Sequence, residues 1–299
     1  MSFKRIERYA NATERDINRR SHPIISRLKC NFYLQYFQKN NDFGFIKIRY
    51  DRRMKSNAKT LTVTVDRFDG NTHYQTTHEV PTRDNQTVLD VVTWIQQHDD
   101  PTLAYRFACR VGMCGSCAMN VNGEPKWSCR THVSKVVSGN ASLSIAPLRN
   151  MPVLRDLSVD MTEFFDKWTQ AVGYFVPTKT KDDPLPEITP DDRARARANQ
   201  SIECINCGIC YSACDVVAAN DAYLGPAALN RAWTLMNDER DGARQTRLDA
   251  VSGDAGCHNC HSQHGCSTYC PNLLAPASSI AGLKRQTLMN LLPWGPSDD

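Results

Sequence analysis

The chain has 299 residues, 41% of them hydrophobic, and a formal net charge of +4. That length suits two domains with ordinary cores, and the absence of any run of 18 apolar residues predicts no membrane-spanning helix. Thirteen cysteines, an odd number with repeated C-x2-C spacing, argue against a secreted disulfide framework and for metal ligation in a reducing compartment.

Charge is unevenly placed. Residues 1–59 hold 15 Lys/Arg against 5 Asp/Glu, so the other 240 residues are net acidic by 6. A nucleic-acid partner would need a folded basic patch, which this end does not supply, and none is expected. Residues 1–55 read as a basic extension with three readings. It is a disordered tail against anionic lipid headgroups, a transit segment, against which Glu7, Glu14 and Asp16 count, or sequence upstream of a true start at Met54. The last is favoured because strand-like sequence begins just after Met54. No apolar stretch follows the N-terminal charges as a secretory signal requires. Cys30 reads as a lone thiol.

Lys59–Phe68 alternates apolar and polar residues and is rich in β-branched side chains, which predicts a strand. His73–Val80 is its hairpin partner across Asp69-Gly70-Asn71. Thr87–Gln97 is apolar at Val88, Leu89, Val91, Val92 and Ile95, a helix with one buried face. Ala118–Val121 and Lys126–Cys129 flank Asn122-Gly123 as a second hairpin, and Ala141–Ala146 gives a last strand. Pro147 and Pro152 punctuate the exit. Leu157–Val172 has helical periodicity, residues 173–186 read as a linker, and Asp191–Asn199, Pro226–Asp238 and Ser279–Leu292 read as helices. The fold class is therefore α+β, with boundaries expected at 56–152 for a mixed-sheet domain of β-grasp ferredoxin type, 153–186 for a helix and linker, and 187–299 for an all-α domain.

Three cysteine motifs carry the chemistry. Cys109-x4-Cys114-x2-Cys117 followed by Cys129 has the spacing of a plant-type [2Fe–2S] site. Gly112 and Gly115 let backbone N–H groups approach the sulfurs there, and Arg110 either adds positive charge or is a solvated surface residue. Cys204-Ile-Asn-Cys207-Gly-Ile-Cys210-Tyr-Ser-Ala-Cys214 is the bacterial ferredoxin run, in which the fourth thiolate serves a second cluster. Its partner is Cys260-His-Ser-Gln263-His-Gly-Cys266-Ser-Thr-Tyr-Cys270-Pro271, with glutamine at the second ligand position. Cross-ligation puts a [4Fe–4S] cluster on Cys204, Cys207, Cys210 and Cys270. It leaves Cys214, Cys260 and Cys266 for a cluster one iron short, [3Fe–4S].

Alternatives stand beside this. Zinc fits the first spacing poorly, but Cys257, Cys260 and the three histidines of CHNCHSQHGC make a conceivable zinc site, as in an interaction protein. Cys257 is also a candidate fourth thiolate that would make the last cluster a [4Fe–4S]. Trp233 and Tyr223 read as core residues.

The three motifs, with PLRNMPVLRDL at 147–157 and YLGPAALNRAWTLMNDERD at 223–241, resemble the iron–sulfur subunit of succinate dehydrogenase and fumarate reductase over residues 57–290. The resemblance implies an electron-transfer subunit with no substrate-converting site of its own. Its partners would be a flavoprotein that interconverts succinate and fumarate on FAD, and a membrane anchor that binds quinone, with or without haem. It implies a peripheral position on the cytoplasmic face of the inner membrane, or on the matrix side in a eukaryote. It also brings His261 and Asp215 near the quinone, against the plainer readings of a surface histidine and a cap carboxylate. CINCGICYSAC leans toward fumarate reductase and Cys260-His261 toward succinate dehydrogenase. The rival of the same build is the iron–sulfur subunit of a different flavoprotein dehydrogenase.

Overall fold

Strand β1 (Thr60–Phe68) places Leu61, Val63 and Val65 fully out of solvent on one face. It pairs antiparallel with β2 (His73–Pro81), and Asp69 Oδ1 stabilises the turn by accepting from the N–H groups of Asn71 and Thr72, each at 2.8 Å. Residues 59–137, 142–184, 187–189 and 191–291 are described by this computed structural model; the readings of residues 1–55, including Cys30 and Met54, lie outside them. All the described residues belong to one unit, Lys55–Asp299.

Helix α1 (Val88–His98) starts in a reciprocal cap: Thr87 Oγ1 accepts from Asp90 N–H while Asp90 Oδ2 accepts from Thr87 N–H. Such a box satisfies two N-terminal donors at once. Val88, Leu89, Val91, Val92 and Ile95 are all buried, as the periodicity predicts. The second hairpin joins β3 (Ala118–Val121) to β4 (Glu124–Trp127). Asn122 and Gly123 both have positive φ, 51° and 83°, as a type I′ turn requires. This turn is tighter than expected: β4 begins at Glu124, so Cys129 lies beyond the strand. A short helix α2 (Val133–Val136) precedes β5 (Ser142–Ala146). The sheet order is β2-β1-β5-β3-β4, parallel only between β1 and β5.

The apolar run expected as one helix from Leu157 divides. Arg67, 2% exposed, donates to Asp156 Oδ1 at 2.8 Å and also pairs with Asp100. Asp156 also accepts from Ala104 N–H (2.8 Å) and Phe68 N–H (3.2 Å) and takes a left-handed φ of 47°. Held there, residues 153–159 form a small hairpin, β6 (Val153–Arg155) and β7 (Ser158–Val159), and Leu157 packs in the sheet core. Helix α3 (Thr162–Gln170) starts only after the turn in which Asp160 Oδ1 accepts from Thr162 N–H at 2.9 Å.

Residues 173–184 carry no regular element, yet they are strapped down. Arg247 and Asp241, both fully buried at the side chain, pair at 2.7 Å. The same guanidinium donates to the carbonyls of Val172 and Tyr174, and Asp241 accepts from Val176 N–H. The rest is helical: α4 (Arg193–Ile202), α5 (Ile209–Ser212), α6 (Asp215–Ala219), α7 (Gly225–Met236), α8 (Arg244–Ser252), a 3-10 turn at Cys257–Asn259, α9 (Gly265–Thr268) and α10 (Pro276–Asn290). Helix α7 is buried almost all round and forms the centre of this half, with Tyr223 and Trp233 in its core. No helix among the described residues is long and apolar enough to cross a membrane.

Candidate metal centres

None of the twelve described cysteines is in a disulfide. In the first loop Arg110, Gly112 and Gly115 have φ of 59°, 77° and 69°. These left-handed residues wind the backbone around Cys109, whose Sγ accepts from the N–H groups of Met113 (3.3 Å) and Val111 (3.5 Å). Cys114 Sγ shares a hydrogen bond with Ser116 Oγ at 3.0 Å. That contact, with backbone N–H groups, draws the Cys114 thiol down to about 6. Burial and the adjacent Cys117 push Cys129 up to about 12. The guanidinium of Arg110 lies over the Phe107 ring, 4.6 Å from its centroid.

The two later loops are backbone copies of each other. Counting from the first cysteine, positions three and five are left-handed in both: Asn206 (φ 53°) and Gly208 (φ 78°) after Cys204, Ser262 (φ 56°) and His264 (φ 64°) after Cys260. A four-residue helix follows at the same offset in each, α5 and α9. Gln263 therefore stands where Cys207 stands.

Cys204, Cys207, Cys210 and Cys270 line one shared space. Cys214, Cys260 and Cys266, the thiols of the third site, line another, the third space, with Gln263, His261 and Tyr223. Burial pushes the Cys207 and Cys266 thiols each up to about 11. Burial, and then its neighbouring thiols, push Cys210 well up. Buried sulfurs so crowded ionise together only around positive charge, and an iron–sulfur core, ligated by thiolates and backed by N–H donors, fits that need.

Cys257 is fully buried but does not line the third space; its sulfur lies 3.8 Å from Thr287 Oγ1 on α10. His261 is exposed at the rim of that space. Asp215 is not among its lining residues; it is exposed at the start of α6 and pairs with Arg149 at 3.4 Å. Two residues at these sites escape sequence reasoning. Tyr223, a core aromatic by pattern, lines the third space, and neighbouring thiols add to the burial that raises its hydroxyl. Asn150 donates from Nδ2 to the carbonyls of Tyr211 and Cys214, each at 2.9 Å, tying the exit of the sheet domain to the second motif.

A sheet domain carrying one thiol set, joined to a helical domain carrying two, defines a multi-cluster iron–sulfur electron carrier. Residues 62–166 match the family model of the 2Fe-2S iron-sulfur cluster binding domain, and residues 200–274 that of the 4Fe-4S dicluster domain. The chain is 36% identical over 226 residues to the fumarate reductase iron-sulfur subunit of Mycobacterium tuberculosis (strain CDC 1551 / Oshkosh), covering 73% of this chain and 90% of the relative. It is 34% identical over 240 residues to the mitochondrial succinate dehydrogenase [ubiquinone] iron-sulfur subunit 1 of Oryza sativa subsp. japonica, covering 78% and 84%. Among solved structures, a chain of the Mycobacterium smegmatis Sdh1 complex in the apo form superposes with a TM-score of 0.71 at 25% identity, covering 80% of this chain and 100% of that one. The chain belongs to the family of succinate dehydrogenase and fumarate reductase iron–sulfur subunits. It is an electron-transfer subunit of a multi-subunit oxidoreductase, with [2Fe–2S] and [4Fe–4S] binding domains.

Proposed function

We propose that the chain relays single electrons between a subunit that interconverts succinate and fumarate on FAD and a membrane anchor that binds quinone. The ligand sets are Cys109, Cys114, Cys117 and Cys129 for [2Fe–2S], Cys204, Cys207, Cys210 and Cys270 for [4Fe–4S], and Cys214, Cys260 and Cys266 for [3Fe–4S]. Bound clusters supply one-electron chemistry and no substrate conversion. The observation that carries this reading is the succession of three thiol-lined sites within one unit.

Each set of residues has its task. The left-handed residues turn N–H groups toward sulfur, and the buried thiols exclude water from the relay. Gln263 brings no charge where Cys207 brings a thiolate, which favours a higher potential at the last site. His261, exposed beside that site, can donate a ring N–H to a quinone carbonyl; Asp215 serves the same neighbourhood from α6. Apolar side chains stand exposed at both ends, with Val111 and Met113 58% and 69% exposed at the first loop and Leu288 and Leu291 57% and 78% exposed at the end of α10. Exposed apolar patches of this kind mark partner surfaces, here the flavoprotein and the anchor, which hold the chain peripherally at the cytoplasmic or matrix face.

Low-temperature EPR of the anaerobically purified complex tests the assignment. A [3Fe–4S] signal as isolated, [2Fe–2S] and [4Fe–4S] signals on reduction, and about 9 iron atoms per chain are expected, with succinate reducing the clusters. Zinc without sulfide, or clusters that succinate leaves oxidised, would overturn it.

A further inference from the structure

Trp127 ends β4, two residues before Cys129, and is 8% exposed. Its backbone is fixed, because the Trp127 carbonyl accepts from the Thr131 hydroxyl at 2.7 Å and from the N–H groups of Thr131 and Arg130. Its ring is held from above: a Cβ on Gly112 would meet it at 3.1 and 3.2 Å. The side chain packs in one cluster with Cys117 and Cys129 from the first thiol set and with Ile209 and Cys207 from the second motif. It also lines the space enclosed by Cys204, Cys207, Cys210 and Cys270. The indole thus bridges the sheet domain and the helical domain.

Its Nε1 is buried and closes no hydrogen bond. A buried N–H left without an acceptor is costly, so a tryptophan here calls for an acceptor. Cys207 is the thiol ligand that shares both that packing cluster and that lined space with the indole.

We propose that Trp127 is a positioning residue of the electron relay: its indole N–H, supplied by the [2Fe–2S] domain, donates to sulfur of the [4Fe–4S] site at Cys207 and sets that cluster's potential upward. Hydrogen bonds to cluster sulfurs are a recognised determinant of potential, and a donor stabilises the more negative, reduced form. The ring meanwhile fills the gap between the two thiol sets and keeps water out of it. Aliphatic or phenyl side chains would fill the gap without the donor.

This inference rests on the ligand assignment above, and the experiment separates the two. The purified complex is prepared with ¹⁵N-indole tryptophan and examined by pulsed EPR and redox titration, in wild type and in Trp127→Phe. The expected result is an indole ¹⁵N coupling to the reduced [4Fe–4S] cluster in wild type that is lost in Trp127→Phe. With it comes a shift of that midpoint to lower potential, while the [2Fe–2S] midpoint and the iron content stay unchanged. No indole coupling in wild type, or an unshifted midpoint in a fully loaded variant, would overturn the role of Trp127. If the variant assembles no cluster, the wild-type coupling alone decides. A Cys207→Ser complex with an unaltered [4Fe–4S] signal would instead overturn the ligand assignment itself.

Discussion

Gly115 has no room for a methyl group: a Cβ built there would lie 2.4 Å from Cys207 Cβ, and its φ of +69° already disfavours an L side chain. Gly115→Ala is therefore expected to destabilise the protein by about 2–3 kcal/mol from overpacking and backbone strain. It should also part the first loop from the second motif, read as a lower Tm and loss of [4Fe–4S] before [2Fe–2S]. Asp100 gives a pH-dependent case. The Thr102 hydroxyl, and then Arg67, hold its carboxyl down to about 2. A carboxylate depressed in the folded state stabilises above its unfolded value and loses that contribution as pH falls toward the folded value. The Tm deficit of Asp100→Asn relative to wild type should be full at pH 6 and shrink between about pH 4 and 2; a deficit independent of pH would sink this account.

At the scale of the element, the matching left-handed positions in the second and third loops make a specific demand. Since Gln263 occupies the place of Cys207, Gln263→Cys should complete a fourth ligand without rebuilding the backbone. The oxidised [3Fe–4S] signal should vanish and iron rise from about 9 to about 10 per chain. The cysteine motifs were legible because their internal spacing is local and chemically specific, and the expected crossing of Cys270 to the Cys204 set came from the motif pattern rather than from closeness in sequence. Helix α1 and the hairpins were legible because periodicity and turn residues are local too. The helix expected from Leu157 was not, because Asp156 is held by Arg67, 89 residues away, and apolar periodicity carries no trace of such a partner. Trp127, Asn150 and Tyr223 were hidden for the same reason: each acts on a segment distant in sequence.

Across the whole molecule, two cores of different kind share the chain. The sheet domain packs Leu61, Val63, Val92, Ile95 and Ile145 in a main core without thiols, while Leu89 on the other side of α1 packs with Cys117 and Cys129 in a smaller cluster. The helical core includes Cys257 and packs directly against Cys210, Cys214 and Cys260. Iron removal by chelator should therefore unfasten the helical half first, because binding free energy is folding free energy where the site is part of the core. Hydrogen exchange would show protection lost in α5, α7 and α9 while β1 and α1 keep theirs; simultaneous loss in both halves would contradict the division.

The crossing of the two later motifs has a consequence in time. Cys270 joins Cys204, Cys207 and Cys210 at one space, and Cys214 joins Cys260 and Cys266 at the other. Each site thus waits for residues made long after its first cysteine has left the ribosome. The first loop closes on itself as soon as Cys129 is made. On the proposed ligand sets, the order of synthesis separates a site that can be loaded early from two that wait, one for Cys266 and the other for Cys270.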